Sequence, residues 1–318
     1  MNKPVPSHLL NLPTAFAPYE HNQRLRLDAD AEARAQQAGA RVGISQAHES
    51  AQLHVTGGAT YTDDIPELAG TLHCALGLAP VAAGRLLSVD LAAVRAMPGV
   101  VRVFTAEDIP GSNDWGSIVH DDPILCDGDI RYLGQPVFAV VAETREQARR
   151  AAALAKKVVQ AEAATPVITP QDAHARGQYV VPPMHLVRSD SGLDEAGIRA
   201  RIAGAPHRLQ GELDVGGQEQ FYLEGQISYA IPKEGNGVHV HCSTQHPSEM
   251  QHLVAHALSV PAHAVLVECR RMGGGFGGKE SQSALFACMA AVAARALARP
   301  VKLRLDRDDD FLITGRRH

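Results

Sequence analysis

The sequence MGGGFGGKE occupies residues 272–280, between a strand predicted over 264–271 and a helix predicted over 281–298. Its five glycines indicate a backbone that takes positive φ angles or lies very close to another group. A glycine loop at the start of a helix also presents unpaired amide N–H groups, which favour anions. The loop is therefore predicted to meet a ligand through its main chain, and the residues around the glycines decide which ligand.

Two nucleotide-binding patterns match this loop formally. The phosphate loop G-x-x-x-x-G-K-[ST] matches as far as Lys279, but Glu280 stands where a hydroxyl should bind magnesium, which excludes that site. The dinucleotide pattern G-x-G-x-x-G is also present. However, the preceding strand turns polar, and Arg295 and Arg299 lie in the zone where an acidic ribose ligand is expected. A dinucleotide-binding oxidoreductase remains a remote alternative.

Composition limits the classes of protein that the chain could represent. Its 318 residues are 45% hydrophobic and 20% charged, which is typical of a globular protein of about two domains. The net charge of −5 and the lack of basic blocks argue against nucleic acid as a partner. The chain shows no secretory signal, and its longest apolar run, 284–294, is too short to span a membrane. We therefore expect a cytoplasmic protein with no membrane partner.

The five cysteines are widely spaced and form no C-x-x-C pair. Neither a zinc ribbon nor an iron–sulfur cluster can be built from such a set within this chain. The cysteines are therefore predicted to be buried free thiols in a reducing compartment.

The pattern along the chain predicts a mixed α/β fold in successive segments. Residues 1–50 are polar and read as an N-terminal extension, and 51–165 alternate strand and helix in a compact module. Proline and glycine mark 166–204 as a linker, after which 205–318 form a second module. The second module ends without a capping element, so we expect it to be an incomplete domain.

Individual elements follow from apolar periodicity and from turn and cap residues. Thr144 and Gln147 form a capping box at the start of one helix. The predicted helices are 91–97, 145–157, 247–258 and 281–298, and the remaining predicted strands are 85–90, 100–105, 137–142, 207–213, 227–231, 238–243 and 301–305.

Several other polar groups carry weaker signals. GGQEQFYLE, residues 216–224, is either a turn that presents an amide donor at close range or a plain turn into an edge strand. His252 and His256 have metal-ligand spacing but lack the glutamate of H-E-x-x-H, so they are predicted to be surface histidines or histidines with satisfied hydrogen bonds. The adjacent acids 63–64 and the acids within 306–310 are predicted to face solvent.

Taken together, the motifs resemble a known family. VTGGATYTDDIP at 55–66, GQPV at 134–137, GGQEQFYLE at 216–224 and RMGGGFGGKE at 271–280 are similar to the molybdenum-cofactor subunit of the xanthine dehydrogenase family, as is the closing LITGRRH. The resemblance runs from about residue 42 to the end. It implies an α/β hammerhead domain followed by the first part of a molybdopterin-binding domain, in place of the generic modules above.

The resemblance also implies roles for individual residues. Gln218 would donate its amide to an oxo-type ligand of molybdenum, and Phe276 would bring its backbone amide close to the apical ligand. Glu280 would face the substrate and hydrogen-bond a purine ring; aldehyde-oxidising relatives tend to carry an apolar residue there. The implied catalytic residues are Glu280 and Gln218, those next to the metal are Gln218 and Phe276, and the cofactor-binding residues are Gly275, Phe276, Gly277 and Gly278.

The implied reaction is hydroxylation of hypoxanthine and xanthine toward urate. Electrons would leave through 2Fe-2S clusters and FAD, housed on a partner subunit or domain, to NAD⁺. The family's catalytic glutamate base and a substrate-orienting arginine would lie in a C-terminal molybdenum domain beyond residue 318, so the chain is expected to carry only part of the active site and to be inactive alone. The alternative from another class is a non-catalytic fragment or pseudo-subunit that binds partners.

Overall fold

The computed structural model describes residues 37–39, 48–184 and 192–317. The chain divides into two units, Met1–Ala59 and Thr60–His318. In the first unit, helix α1 (Ala51–Thr56) ends at Gly57, whose φ of 73° is the left-handed conformation that commonly terminates helices. Most of the extension predicted over 1–50 lies outside the described residues.

Two β-sheets organise the described part of the second unit. The larger has seven strands in the order β3-β5-β1-β10-β7-β8-β9, and the smaller has three in the order β4-β2-β6. The β1–β10 and β8–β9 pairs are parallel, whereas the other pairs are antiparallel. The strands are β1 Leu72–Leu78, β2 Gly84–Val89, β3 Val100–Phe104, β4 Asp129–Ile130, β5 Pro136–Ala142, β6 Val159–Ala163, β7 Ile227–Pro232, β8 Val238–Cys242, β9 Val265–Glu268 and β10 Val301–Arg304.

Helices pack on both faces of the larger sheet, α7 and α8 on one face and α3 on the other. Thr144 caps α3 through the predicted capping box, in which its hydroxyl accepts from the Gln147 amide. No helix among the described residues is long and apolar enough to cross a membrane. The helices are α2 Ala92–Arg95, α3 Arg145–Ala152, α4 Ala155–Val158, α5 Pro170–Ala175, α6 Glu195–Ala203, α7 Pro247–Leu258, α8 Ser283–Leu297 and α9 Arg307–Ile313.

The main core lies between the larger sheet and helices α7 and α8. Residues 283–294 of α8 are all buried, and its many alanines let the helix backbone lie close to β7 and α7. A second core fills the space between β5, the smaller sheet and helices α2 to α4. Four of the five free cysteines are buried, as predicted, and Cys269 is partly exposed.

The mixed α/β class and most elements are confirmed, and helix α7 has the predicted bounds. The strand predicted over 207–213 is wrong, because this segment has no strand partner and Leu209 and Leu213 are almost fully exposed. β1, an interior strand of the larger sheet, and α9 are not among the predicted elements. The prediction that Asp63 faces solvent is also wrong, since it lies 3.2 Å from Nζ of Lys302 and 2.7 Å from Nε of Arg304.

The strand directions bring three distant chain segments together. β8 and β9 run parallel to each other, and β10 runs in the same direction because both β10 and β8 are antiparallel to β7. The carboxyl ends of these strands therefore meet at one edge of the sheet, where β7 also begins. In open α/β sheets this edge is where ligands bind. Here it gathers residues 243–245, the loop at 272–280 and the start of α9.

Candidate functional site

Glycine shapes the 272–280 loop at positions where a side chain would not fit. Gly274 and Gly277 have φ angles of 99° and 90°, which L side chains rarely adopt. A Cβ added to Gly275 would lie 2.6 Å from Oε1 of Gln245. The side of the loop that faces the sheet, which we call its underside, is therefore packed tightly against neighbouring side chains.

Lys279 anchors this underside and is wholly buried. Its ammonium group donates to the Glu224 carbonyl oxygen at 2.6 Å and to the Ser243 hydroxyl at 2.7 Å. It also lies 3.7 Å from Oε2 of Glu224 and 4.6 Å from the centroid of the Tyr222 ring. Two hydrogen bonds, an ion pair and a cation–π contact together compensate a buried charge that would otherwise be very costly.

Glu224 is the counter-charge to Lys279, and its side chain is also almost completely buried. Oε2 accepts from the Ser243 hydroxyl at 2.5 Å and from the Gly273 amide at 3.1 Å. The Glu224 amide in turn donates to the Gly273 carbonyl oxygen at 3.1 Å. The end of the 216–224 segment is thus attached to the beginning of the glycine loop by both main-chain and side-chain bonds.

A second buried carboxylate supports the same segment from α9. The Tyr222 hydroxyl donates to Oδ1 of Asp310 at 2.6 Å, and the Thr314 hydroxyl donates to the same oxygen at 3.2 Å. Gln226 connects this pair to the loop, because its Nε2 donates to the Gly278 carbonyl oxygen at 2.8 Å. Asp310 is 1% exposed. The prediction that the acids of 306–310 face solvent is therefore wrong for Asp310, because the end of β10 directs α9 into the site.

Gln245, three residues after the end of β8, forms hydrogen bonds with the middle of the loop. Its Oε1 accepts from the amides of Gly277 and Lys279, at 3.1 Å and 3.2 Å. The backbone N–H of Gln245 donates to the Lys279 carbonyl oxygen at 2.8 Å. The same oxygen also accepts from the Thr244 hydroxyl. These bonds fix the loop backbone between the turn at Gly277 and the start of α8.

Burial dominates the electrostatics of the underside. It lowers the pKa of Lys279, an effect that the nearby Glu224 carboxylate opposes. Burial also raises the pKa of the Tyr222 hydroxyl, and the bond to Asp310 raises it further. Tyr222 therefore acts as a neutral donor to Asp310.

The outer part of the loop, which we call its rim, consists of Phe276, Gly277 and Glu280, and all three residues are exposed. Phe276 has a φ of 54° and is 65% exposed. Its amide N–H makes no hydrogen bond with the described residues, and neither does the Glu280 carboxylate. A Cβ on Gly277 would meet nothing within 4 Å. The rim therefore offers a free amide, bare backbone and a free carboxylate within five residues.

Gln218 lies outside the loop, on an exposed extended segment. Its backbone pairs with Arg317 through hydrogen bonds of 2.6 Å and 2.8 Å, and its Oε1 accepts from the Arg317 guanidinium. The Nε2 group of Gln218 has no acceptor among the described residues. The neighbouring Glu219 pairs with Arg316 at 2.9 Å. The structure thus joins Gln218 to the end of the described chain rather than to the loop directly.

The end of the described chain also contacts the first residues after the loop. Oε1 of Gln282 accepts from the Gly315 amide at 2.8 Å. A cavity of about 550 Å³ lies beside this contact, lined by residues 281–282 and 311–316 together with apolar residues of α8. This lining begins at Ser281, directly after Glu280 in the sequence, although Glu280 itself does not line the cavity.

Sequence reasoning selected the residues of the rim but missed those of the underside. The sequence pattern indicates Lys279 only as a phosphate ligand, and it assigns no role to Glu224 within its motif. The pattern assigns no role to Tyr222 either, and it predicts that Asp310 faces solvent. Lys279 lies shortly before the apolar run 284–294 of α8, and this is the one sequence signal that could have indicated a buried ion pair.

Family models match two parts of the chain. The aldehyde oxidase and xanthine dehydrogenase a/b hammerhead domain matches residues 56–162, and the molybdopterin cofactor-binding domain matches residues 183–318. Xanthine dehydrogenase from Oryza sativa subsp. japonica is 39% identical over 283 residues, which are 88% of this chain. Aldehyde oxidase 2 from Cavia porcellus is 40% identical over 278 residues, which are 87% of it. The chain spans 20% of the length of each of these relatives.

A solved structure supports the same relationship. Quinoline 2-oxidoreductase from Pseudomonas putida 86 superposes with a TM-score of 0.68 at 26% identity, over 86% of this chain and 36% of that one. The motifs, the two domain matches and the shared fold agree with one another. The chain belongs to the aldehyde oxidase and xanthine dehydrogenase family of molybdenum hydroxylases and carries a hammerhead domain followed by molybdopterin-binding sequence.

Proposed function

We propose that this chain forms one side of the active site of a purine-oxidising molybdenum hydroxylase, which converts hypoxanthine and xanthine toward urate. The observation that carries the proposal is Glu280: an exposed carboxylate without a described partner, fixed at the end of a rigid glycine loop. Its neighbour Lys279 is fully buried and bonded, so the backbone that presents Glu280 is held in place.

The donors of this chain fit a molybdenum cofactor. The oxygen ligands of such a centre are hydrogen-bond acceptors. The amide N–H of Phe276 and Nε2 of Gln218 are both donors that lack an acceptor among the described residues. Gly277 leaves the backbone beside Phe276 bare, so a bulky group can approach it closely. When bound, the cofactor would supply the oxygen transfer to substrate carbon and accept the electrons released.

In this proposal each residue has one role. Phe276 and Gly277 bind the cofactor through the main chain. Gly275 and Gly278 have no side chain that would clash with the residues packed against the underside. Gln218 orients an oxygen ligand by donating from Nε2. Such donors act on the electronic properties and orientation of a metal centre without coordinating it.

Glu280 would orient the substrate. A carboxyl group can accept from a ring N–H or, when protonated, donate to a ring nitrogen, so it suits a purine better than an aldehyde. Overall identity does not separate the two substrate classes, because the aldehyde oxidase relative is as similar as the xanthine dehydrogenase relative. The carboxylate at position 280 therefore supports purines as the proposed substrate class.

The remaining parts of the proposed enzyme lie in its other domains or subunits. Electrons would pass through 2Fe-2S clusters and FAD to NAD⁺. A C-terminal molybdenum domain would contribute the catalytic base. The proposed partners are thus a purine, an FAD and iron–sulfur component, and that C-terminal domain.

The test replaces Glu280 by leucine in the protein expressed together with these further parts. We expect the kcat/KM for xanthine to fall roughly 10²-fold, which is typical for the loss of one group that stabilises a transition state. Aldehyde oxidation should persist or increase, and the molybdenum content should stay unchanged. Urate formation, aldehyde oxidation and metal analysis measure these outcomes.

Glu234→Gln is the matched control, because Glu234 is an exposed glutamate in the turn at the opposite edge of the sheet. It should leave both activities unchanged. Full xanthine activity in the molybdenum-loaded Glu280→Leu variant would contradict the substrate assignment. A wild-type protein that binds no molybdenum and forms no urate would favour the non-catalytic, partner-binding alternative.

A further inference from the structure

A group of metal-ligating side chains lies on the larger sheet and takes no part in the loop. His239 and His241 are two residues apart on β8, so both side chains project from the same face of the sheet. Glu268 lies on the parallel neighbour β9, directly opposite His241 in the strand register. Regular strand geometry thus places two imidazoles and one carboxylate together.

The ligand atoms of this group converge. Oε2 of Glu268 lies 3.2 Å from Nε2 of His239 and 3.7 Å from Nδ1 of His241. One ligand atom from each side chain can be chosen so that all three lie within 4.8 Å of one another. Zinc binds nitrogen and oxygen ligands at about 2.0–2.2 Å, so ligand atoms about 3–4 Å apart can share one ion.

One imidazole of the group lacks a hydrogen-bond partner among the described residues. Nε2 of His239 is buried and makes no hydrogen bond with the described residues, although the carboxylate is nearby. The Tyr229 ring stacks on His241 at 6.2 Å between centroids. The polar atom of His239 thus points into a site where a cation would complete its bonding.

The group also has access to solvent. Glu268 is about half exposed, and a cavity of about 300 Å³ next to it is lined by His241 and Glu268 and by Arg270 and Arg271. An ion can enter from this side, and water can occupy its remaining coordination positions. The two arginines oppose a cation electrostatically, so we expect micromolar rather than very tight binding.

We propose that His239, His241 and Glu268 bind one divalent transition-metal ion of the zinc type. Two imidazoles and a carboxylate with an open position for water are a ligand set that suits zinc and excludes calcium and magnesium, which prefer oxygen ligands. The ion would fasten the edge strand β9 to β8 and so restrain the chain that leads into the glycine loop. This inference does not depend on the proposed function.

The test uses the untagged chain after treatment with a chelator and dialysis. Titration calorimetry with ZnCl2 should report one site per chain. Co²⁺ should produce the visible absorption of a protein-bound ion. Glu268→Gln removes the carboxylate ligand at a half-exposed position without a change in shape, and should weaken binding at least tenfold. His239→Ala/His241→Ala should abolish it.

His252→Ala/His256→Ala is the matched control, because it also removes two histidines, from the exposed face of α7. It should bind zinc as the unmodified chain does. Circular dichroism checks that each variant is folded. Binding by the His239→Ala/His241→Ala variant that equals the unmodified chain, or loss of binding in the α7 variant, would overturn the proposal.

Discussion

Lys279 and Glu280 are neighbours in the sequence, yet they lie in opposite environments. Lys279 is fully buried on the underside of the loop, where it contacts Glu224, Ser243 and Tyr222. Glu280 lies on the rim, exposed and without a described partner. The loop thus separates two tasks within two residues: the underside holds the backbone in place, and the rim presents unpaired groups to a ligand.

This difference predicts that the largest loss of stability follows removal of the buried cation. Lys279→Met keeps the apolar stem but leaves Glu224 as a buried charge without a counter-charge. We expect the free energy of unfolding to fall by about 3–5 kcal/mol, as is usual when one partner of a buried pair is removed. Urea denaturation followed by circular dichroism measures the change.

The double variant Lys279→Met/Glu224→Gln tests the cause. Neutralising Glu224 should restore part of the lost free energy, because the uncompensated charge is then absent. Glu280→Gln is the control from the rim and should change stability by less than about 0.5 kcal/mol. A similar cost for Lys279→Met and Glu280→Gln would refute the distinction between underside and rim.

A smaller loss is expected when the second buried carboxylate loses one donor. Tyr222→Phe removes the hydroxyl that donates to Asp310, which is almost fully buried. We expect a loss of about 1.5–3 kcal/mol, the range for a hydrogen bond to a charged group. The control is Tyr179→Phe, whose hydroxyl bonds His174 at an exposed position and should contribute less than about 0.5 kcal/mol. Equal losses in the two variants would show that Asp310 is not held by Tyr222.

The rim was easier to predict from sequence than the underside, for a physical reason. Glycines and the residues between them form one contiguous motif, so their role can be proposed from local pattern alone. The underside brings together side chains from distant segments: Glu224 before β7, Ser243 after β8 and Asp310 in α9. Their proximity depends on strand order and direction, which local periodicity does not specify. The roles proposed for Gln218, Phe276 and Glu280 remain predictions.

The same limit explains the errors in the fold. Helix α7 was predicted correctly because its proline start and apolar stripe are local signals. The segment 207–213 carries strand-like alternation, but no described strand lies beside it, and the pattern alone cannot reveal a missing partner. Conversely, His73 and Gly77 interrupt the apolar pattern of β1. This segment forms a strand because it pairs with β5 on one side and β10 on the other.

The smallest effect concerns the rim itself, where Phe276 has a φ of 54°. L residues other than glycine are disfavoured in this region by about 1 kcal/mol or more. We therefore expect Phe276→Gly to be about 1 kcal/mol more stable than Phe276→Ala, since both remove the ring but only glycine relieves the φ. Thermal and urea unfolding measure the difference.

Phe311 supplies the opposite control, because it lies in helix α9, where glycine is about 1 kcal/mol less favourable than alanine. Phe311→Gly should therefore be the less stable member of its pair.

If Phe276→Gly were also less stable than Phe276→Ala, the rim would carry no backbone strain. If the order is reversed as expected, the chain retains a residue that costs stability at an exposed position. Strained residues of this kind persist mainly at functional sites, where the conformation itself is needed. The rim would then be the part of the loop shaped by its ligand, whereas the underside is shaped by folding.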